Sequence, residues 1–353
     1  MSSLFPPPSD VQQPTLSIQA LWLQIPSGFN TSLFGGCVSS LPQVLKTSGI
    51  FKLHHRSVSI VSSRYKGFRV RAASFEILQG DLTQPDTLRA ATDGCTVVFH
   101  CAATLGGHID IQRRVNVEGT RSLVHAAADA GVRRFVHVST LSVYGVNYRG
   151  TITEDMPSAP GSDPYGISKA EAEAALRATA QVRGIDYTII RPGMIYGAGA
   201  ELWTGFLYRL ARLRPMPWLG DGSGLAHCIH VDDVLEMMTL LAEHPRAVGE
   251  AFNCSSDPAP TWRSFLAEYG KLAHETNDAV ELPPALGYAV AGLVMLLSPP
   301  VSRGRMASDF VRFTLGRAQF SMAKARALLG WQPQVGLEEG VARCADWLRE
   351  TAG

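Results

Sequence analysis

Tyr165 and Lys169 stand one helical turn apart in the run Asp163-Pro164-Tyr165-Gly166-Ile167-Ser168-Lys169, so a phenol and an ammonium share a helix face. An ammonium beside a phenol favours the phenolate and draws a pKa that starts near ~10 toward working pH. Tyr165 then becomes a proton donor and acceptor for an alcohol–ketone pair. Asp163 suits the N-cap of that helix and Pro164 its first position. Upstream, Phe135-Val136-His137-Val138-Ser139-Thr140 reads as a strand ending in hydroxyl residues. The C-terminal ends of parallel strands border the ligand crevice, so Ser139 and Thr140 are expected to reach the oxygen that Tyr165 serves.

The elements that must position these groups recur along the chain. Phe75–Gln79, Thr96–Cys101, Phe135–Ser139 and Tyr187–Ile190 read as short strands, and Val115–Ala130 and Tyr165–Gln181 as helices, the first stopping at Gly131. Strands alternating with helices predict a doubly wound parallel sheet. Beyond Arg191 the order loosens, with helices expected near Leu202–Leu213, Val231–Glu243, Trp262–Ala273, Ala285–Leu297, Met322–Leu329 and Leu337–Arg349. This reading gives residues 68–191 to a dinucleotide-binding domain and 192–353 mainly to a smaller substrate domain, with some segments returning to the sheet.

The 353 residues carry a net charge of +1 and are 46% hydrophobic, which excludes a dedicated nucleic-acid binder and a wholly disordered chain. Six cysteines without CxxC spacing read as buried thiols in a reducing, cytoplasmic compartment. The apolar run Ala285–Leu297 is shorter than the roughly 20 residues of a spanning helix, so it is expected as a core helix or as a peripheral membrane contact. Residues 1–67 are atypical: basic, serine-rich and, but for Asp10, free of acidic side chains. That composition fits a poorly ordered segment, with organelle targeting as the alternative.

The motifs, in order from Phe75 onward, resemble the extended short-chain dehydrogenase/reductase family, within the NAD-dependent epimerase/dehydratase superfamily. The pattern is nearest to its 3β-hydroxysteroid dehydrogenase-like branch. The resemblance implies a Rossmann-like sheet, NAD or NADP as cofactor, Thr140, Tyr165 and Lys169 as catalytic residues, and a homodimer built on the Val115–Ala130 and Tyr165–Gln181 helices. It also implies Asp81 and Leu82 against the adenine, and His100, Ala102 and Ala103 under the dinucleotide. Asn116 takes the place of a structural asparagine. Ser139, Tyr165, Lys169, Pro192, Met194 and Ile195 fall at the nicotinamide end.

One family part is missing. The opening strand, GxxGxxG turn and helix that hold a pyrophosphate find no match at Gly28, Gly35 and Gly36. The first unit is therefore expected to be replaced, and cofactor binding weak. His227, Cys228 and His230 have metal-ligand types, but no metal is expected, because Asp232 or Asp233 reads as the cap of the next helix.

The expected function is NAD(P)-dependent oxidation at a CH–OH group of an apolar ring, as in the steroid branch. Two features argue for it over a sugar-nucleotide epimerase or dehydratase, the alternative: Ala226 stands where those members grip the diphosphate with Arg, and the Thr104–Val115 segment is short. A cofactor-deficient, non-catalytic relative is the third reading.

Overall fold

In the N-terminal part, where the sequence shows little periodicity, Gly49–His54 (β1) and Ser57–Ser62 (β2) form an antiparallel hairpin. Phe75–Leu78 (β3) runs parallel to β2, with Val58 opposite Phe75 and Val61 opposite Leu78. The structure is a computed structural model, and the residues it describes are 18–19, 49–54, 57–62, 75–78, 80–105, 108–146, 149–213, 216–273, 279–289 and 311–351. Gly28, Gly35 and Gly36 lie outside them.

The central sheet has four parallel strands. Val97–His100 (β4), Arg134–Val138 (β5), Asp186–Pro192 (β6) and Ala251–Cys254 (β9) lie in the spatial order β9-β6-β5-β4. Their near-continuous apolar runs suit strands covered on both faces, and every residue of β4 and β9 is buried. Among the described strands β4 pairs with β5 alone, and β3, expected in this sheet, joins the hairpin instead. Two short parallel strands, Met194–Tyr196 (β7) and Cys228–His230 (β8), pair outside it.

Pro85–Thr92 (α1), Gly119–Asp129 (α2) and Pro164–Arg183 (α3) pack side by side, and Val231–Glu243 (α4) packs on β5 and β6. The helix expected from Val115 is composite. It opens as an α turn at Ile109–Gln112, passes through a π turn at Arg113–Glu118 and only then becomes α2. The π turn carries Asn116 inward, where Oδ1 accepts from Thr104 N at 2.8 Å and Nδ2 donates to Thr104 O at 3.0 Å and Ser168 Oγ at 2.9 Å. Such turns interrupt helices where a side chain must be redirected.

One hydrophobic cluster joins the sheet to α1, α2, α3 and α4 and takes in Phe320, Met322 and Trp331 from the C-terminal part. A second, around Tyr196, Leu207, Phe265 and Tyr269, draws on residues after 193 and is built against Trp262–Leu272 (α5). The helix expected at Ala285–Leu297 is helical over 284–289, where Leu286 and Tyr288 are exposed rather than in the core, and residues 290–297 lie outside the described ones. Among the described residues no helix is long and apolar enough to cross a membrane.

Candidate active site

Three chain segments that end at the same edge of the sheet enclose a cavity of about 980 Å³. From the end of β5 come Val138, Ser139 and Thr140. From β4 come Cys101 and Ala103, and from the β6–β7 link come Pro192, Gly193, Met194 and Ile195. The first turn of α3 adds Tyr165. Asp163 fixes that turn, its carboxylate accepting from Tyr165 N at 3.1 Å and Gly166 N at 2.9 Å, and Pro164 follows it as expected.

Lys169 lies one turn further along α3 and is almost fully buried. Its Nζ donates to Val138 O at 2.8 Å and approaches His137 Nε2 at 3.3 Å. Thr140 caps the short 3₁₀ turn Leu141–Tyr144, where its Oγ1 accepts from Ser142 N at 3.2 Å. Ser139 borders the cavity, but its hydroxyl is engaged behind the wall. Its hydroxyl donates to Glu173 Oε1 at 2.6 Å, inside a buried polar chain. Arg191 grips Glu173 with two bonds of 2.9 and 2.6 Å and also donates to Tyr144 OH, which donates to Asn253 Oδ1 at 2.9 Å.

Six residues expected at the cofactor lie off the cavity wall: Asp81, Leu82, His100, Ala102, Asn116 and the buried Lys169. Asp81 Oδ1 accepts from Thr83 N and Oγ1 in the turn before α1. Leu82 is buried against Gly119, where an added Cβ would come within 2.7 Å of Leu82 Cβ. His100 Nε2 meets Thr120 Oγ1 at 2.7 Å, and Asn116 is engaged by Thr104 and Ser168. The cap of α4 is also corrected: His230 Nδ1 accepts from Asp232 N at 3.2 Å. Asp233 instead accepts from Gln334 N at 2.8 Å, and Asp232 pairs with Arg343 at 2.6 Å.

Several wall residues are not among the site residues expected from the sequence, where His227 is weighed only as a metal-ligand type. Trp203, Phe206 and Arg209 come from the segment after β7, His227 from the start of β8, and Val234, Leu235 and Met238 from α4. Arg312, Phe313 and Phe320 close the cavity from the C-terminal part. Arg209 pairs with Glu201 at 2.7 Å and is half-exposed. No short motif announces these positions, although the i, i+1 and i+4 spacing of Val234, Leu235 and Met238 marks one apolar face of α4.

The chain matches the model of the "NAD dependent epimerase/dehydratase family" over residues 39–255, more than half its length. It belongs to that family. The match begins inside the segment that the sequence reading set apart as atypical. An Arabidopsis thaliana 3beta-hydroxysteroid-dehydrogenase/decarboxylase is 29% identical over 306 residues, covering 79% of this chain and 68% of the relative. A UDP-glucose 4-epimerase of Mycolicibacterium smegmatis is 30% identical over 288 residues, 78% and 83% of the two chains. A Stigmatella aurantiaca ketoreductase of a farnesylated dihydroquinoline oxide is 34% identical over 295 residues, 80% and 86%. Among solved structures, the dTDP-glucose 4,6-dehydratase DesIV of Streptomyces venezuelae, with NAD and TYD bound, superposes with a TM-score of 0.61. It is 25% identical and covers 80% of this chain and 81% of its own.

Electrostatics set the protonation states at this family site. Burial pushes the Tyr165 phenol well above its ordinary value, and the Asp163 carboxylate adds to the rise. The expected depression by Lys169 is therefore absent, since its ammonium is turned onto the Val138 carbonyl. Burial lowers Lys169 itself to about 8, against the pull of Glu173 and Cys101. Behind it, His100 and His137 are held well below their usual value by burial and by the Lys169 charge, so both are neutral.

Proposed function

We propose that this chain transfers hydride reversibly at a secondary-alcohol carbon with NAD or NADP, in the manner of a sugar-nucleotide epimerase or dehydratase. The observation that carries the reading is the convergence of Thr140 and Tyr165 on one cavity wall with Lys169 buried a turn behind. The nicotinamide–ribose half of the cofactor would lie against Cys101, Ala103, Ser139, Pro192, Met194 and Ile195, which border that wall, and the family resemblance puts Lys169 on the ribose. Asp81 and Leu82 are assigned to the adenine by family resemblance, and Gly28, Gly35 and Gly36 lie outside the described residues. Bound NAD(P) supplies the hydride acceptor or donor.

The chain's own residues manage the proton. Tyr165 is protonated at neutral pH because a buried phenolate is costly, so it is poised to donate to a carbonyl oxygen in the reducing direction. Thr140 hydrogen-bonds the same oxygen and orients it. For the reverse step the Lys169 ammonium has to turn from Val138 toward the phenol and favour its ionised form. That help fades as pH rises through about 8, where Lys169 loses its charge.

The family match and the nucleotide-sugar enzymes among its relatives favour a sugar nucleotide as substrate, ahead of the steroid class expected from Ala226. Arg209, which would exchange its Glu201 partner for a diphosphate, and Arg312 are arginines on the wall, whereas Ala226 brings no charge. A second reading, an apolar ring alcohol, draws on the apolar wall of Trp203, Phe206, Met238 and Phe320 and on the sterol and dihydroquinoline enzymes among the relatives.

The test is turnover on UDP-glucose, dTDP-glucose and a sterol-like alcohol with both cofactors, for the wild type and for Tyr165→Phe. Turnover of a nucleotide sugar, falling about 10² to 10⁴-fold in the variant, is expected. Turnover of the sterol alone promotes the second reading, and turnover unchanged by Tyr165→Phe ends both.

A further inference from the structure

Resting on the reading that a substrate ring sits against Tyr165, we propose that His227 is a specificity-determining residue that hydrogen-bonds a neutral oxygen, hydroxyl or carbonyl, on that ring. His227 borders the same cavity and is 7% exposed. Its Nδ1 is sealed from water with no hydrogen-bond partner among the described residues, which leaves Nε2 as the ring nitrogen able to meet a ligand. With Nδ1 sealed, the neutral tautomer that carries its proton on Nε2 offers one donor to the cavity the ring borders. The residue has no freedom to turn elsewhere. Its backbone oxygen accepts from Met194 N at 2.7 Å, and its ring stands edge-on to Phe320 with centroids 4.6 Å apart and planes at 90°.

The neighbouring wall residues Val231, Val234, Leu235 and Met238 are apolar. One imidazole among them fixes the orientation of whatever lies there, as sparse polar groups do in apolar pockets. Burial holds His227 near 4, so the ring is neutral at working pH. A neutral donor suits a hydroxyl or carbonyl and gives a phosphate no charge to meet, whereas Arg209 and Arg312 do.

The test follows the ring directly. Protein labelled with ¹⁵N in its histidines is titrated with UDP-glucose, dTDP-glucose, a sterol-like alcohol and UDP, and the His227 resonance is assigned by its loss in His227→Phe. A shift with a compound that carries the hexose or sterol ring, but none with UDP, which lacks it, is expected. No shift with any of them, or an equal shift with UDP, overturns the proposal. Turnover without the shift leaves the proposed function standing and removes this inference, while the shift without turnover does the reverse. With a turned-over substrate, His227→Phe should raise KM about three- to tenfold, the loss of one neutral hydrogen bond, with kcat little changed. His227→Gln, which keeps a donor, should restore KM. An unchanged KM in His227→Phe also overturns the proposal.

Discussion

The two walls of the cavity are held in place by different physics. The wall from β5 and α3 is backed by polar bonds: Ser139 to Glu173, Glu173 to Arg191, Arg191 to Tyr144 and Lys169 to Val138. The wall from β7, β8 and α4 is backed by packing: Val231, Val234, Leu235 and Met238 are buried in or beside the apolar clusters, and one imidazole stands among them. Hydrogen bonds are directional and hold atoms to a few tenths of an ångström. Apolar contacts tolerate volume-conserving change. The proton-handling groups thus sit on the wall that cannot drift, and the shape-reading groups on the wall that can be remodelled.

Breaking the polar wall should have the largest effect. Glu173 and Arg191 are both almost fully buried, and removing Arg191 leaves the buried Glu173 charge with only the longer, 3.6 Å pair to the partly exposed Arg177. Arg191→Met is expected to cost about 3–5 kcal/mol of unfolding free energy, read by denaturant titration. Burial alone would raise the Glu173 carboxyl, but hydrogen bonds from Arg191 and Ser139 and the charges of Arg191 and Arg177 outweigh it and hold it below its usual value. Because that folded-state value is depressed, the stabilisation is full above the unfolded value of about 4.3 and is lost as pH falls through the lower folded one. The wild type should lose stability over that acid range, and Arg191→Met should show less of the loss. An equal acid slope in both would show that Glu173 is not the group responsible.

The seam between the walls is Gly193. A Cβ there would lie 2.1 Å from the backbone oxygen of His227, a closeness that no flexible side chain can relieve. Gly193→Ala should therefore part the β6–β7 link from the start of β8, at about 1–3 kcal/mol. It should also disturb both walls at once, changing kcat and KM together. A variant as stable as the wild type would mean that the close approach is not maintained in solution.

The unequal legibility of the two walls has the same origin. The polar wall is written in short local runs: Asp163, Tyr165 and Lys169 share one helix, and Ser139 and Thr140 end one strand, so periodicity and capping chemistry reach them. Even there the sequence points Ser139 at the reacting oxygen, because the partner of its hydroxyl, Glu173, lies 34 residues away. The apolar wall is assembled from segments about a hundred residues apart, such as Phe206 and Phe313, and apolar residues at ordinary helical spacing do not announce which cavity they face. His230 is hidden as the cap of α4 by the two aspartates that follow it nearby in sequence, and both of these are taken by distant partners, Arg343 and the backbone at Gln334.

The smallest expected effect separates two roles of Asp163. Its carboxylate caps α3 through Tyr165 N and Gly166 N, and its charge raises the Tyr165 pKa after the larger effect of burial. Asparagine caps a helix about as well as aspartate but carries no charge. Asp163→Asn should keep stability within a few tenths of a kcal/mol and move the Tyr165 limb of the pH–rate profile to lower pH, because a nearby negative charge no longer opposes the phenolate. Asp163→Ala should move the limb the same way and also lose about 1 kcal/mol of stability. If the limb stays in place in both variants, the ionisation that governs the rate is not that of Tyr165. If it moves in Asp163→Ala alone, the shift comes from the displaced helix end, and the charge of Asp163 has no part in setting the proton affinity of the polar wall.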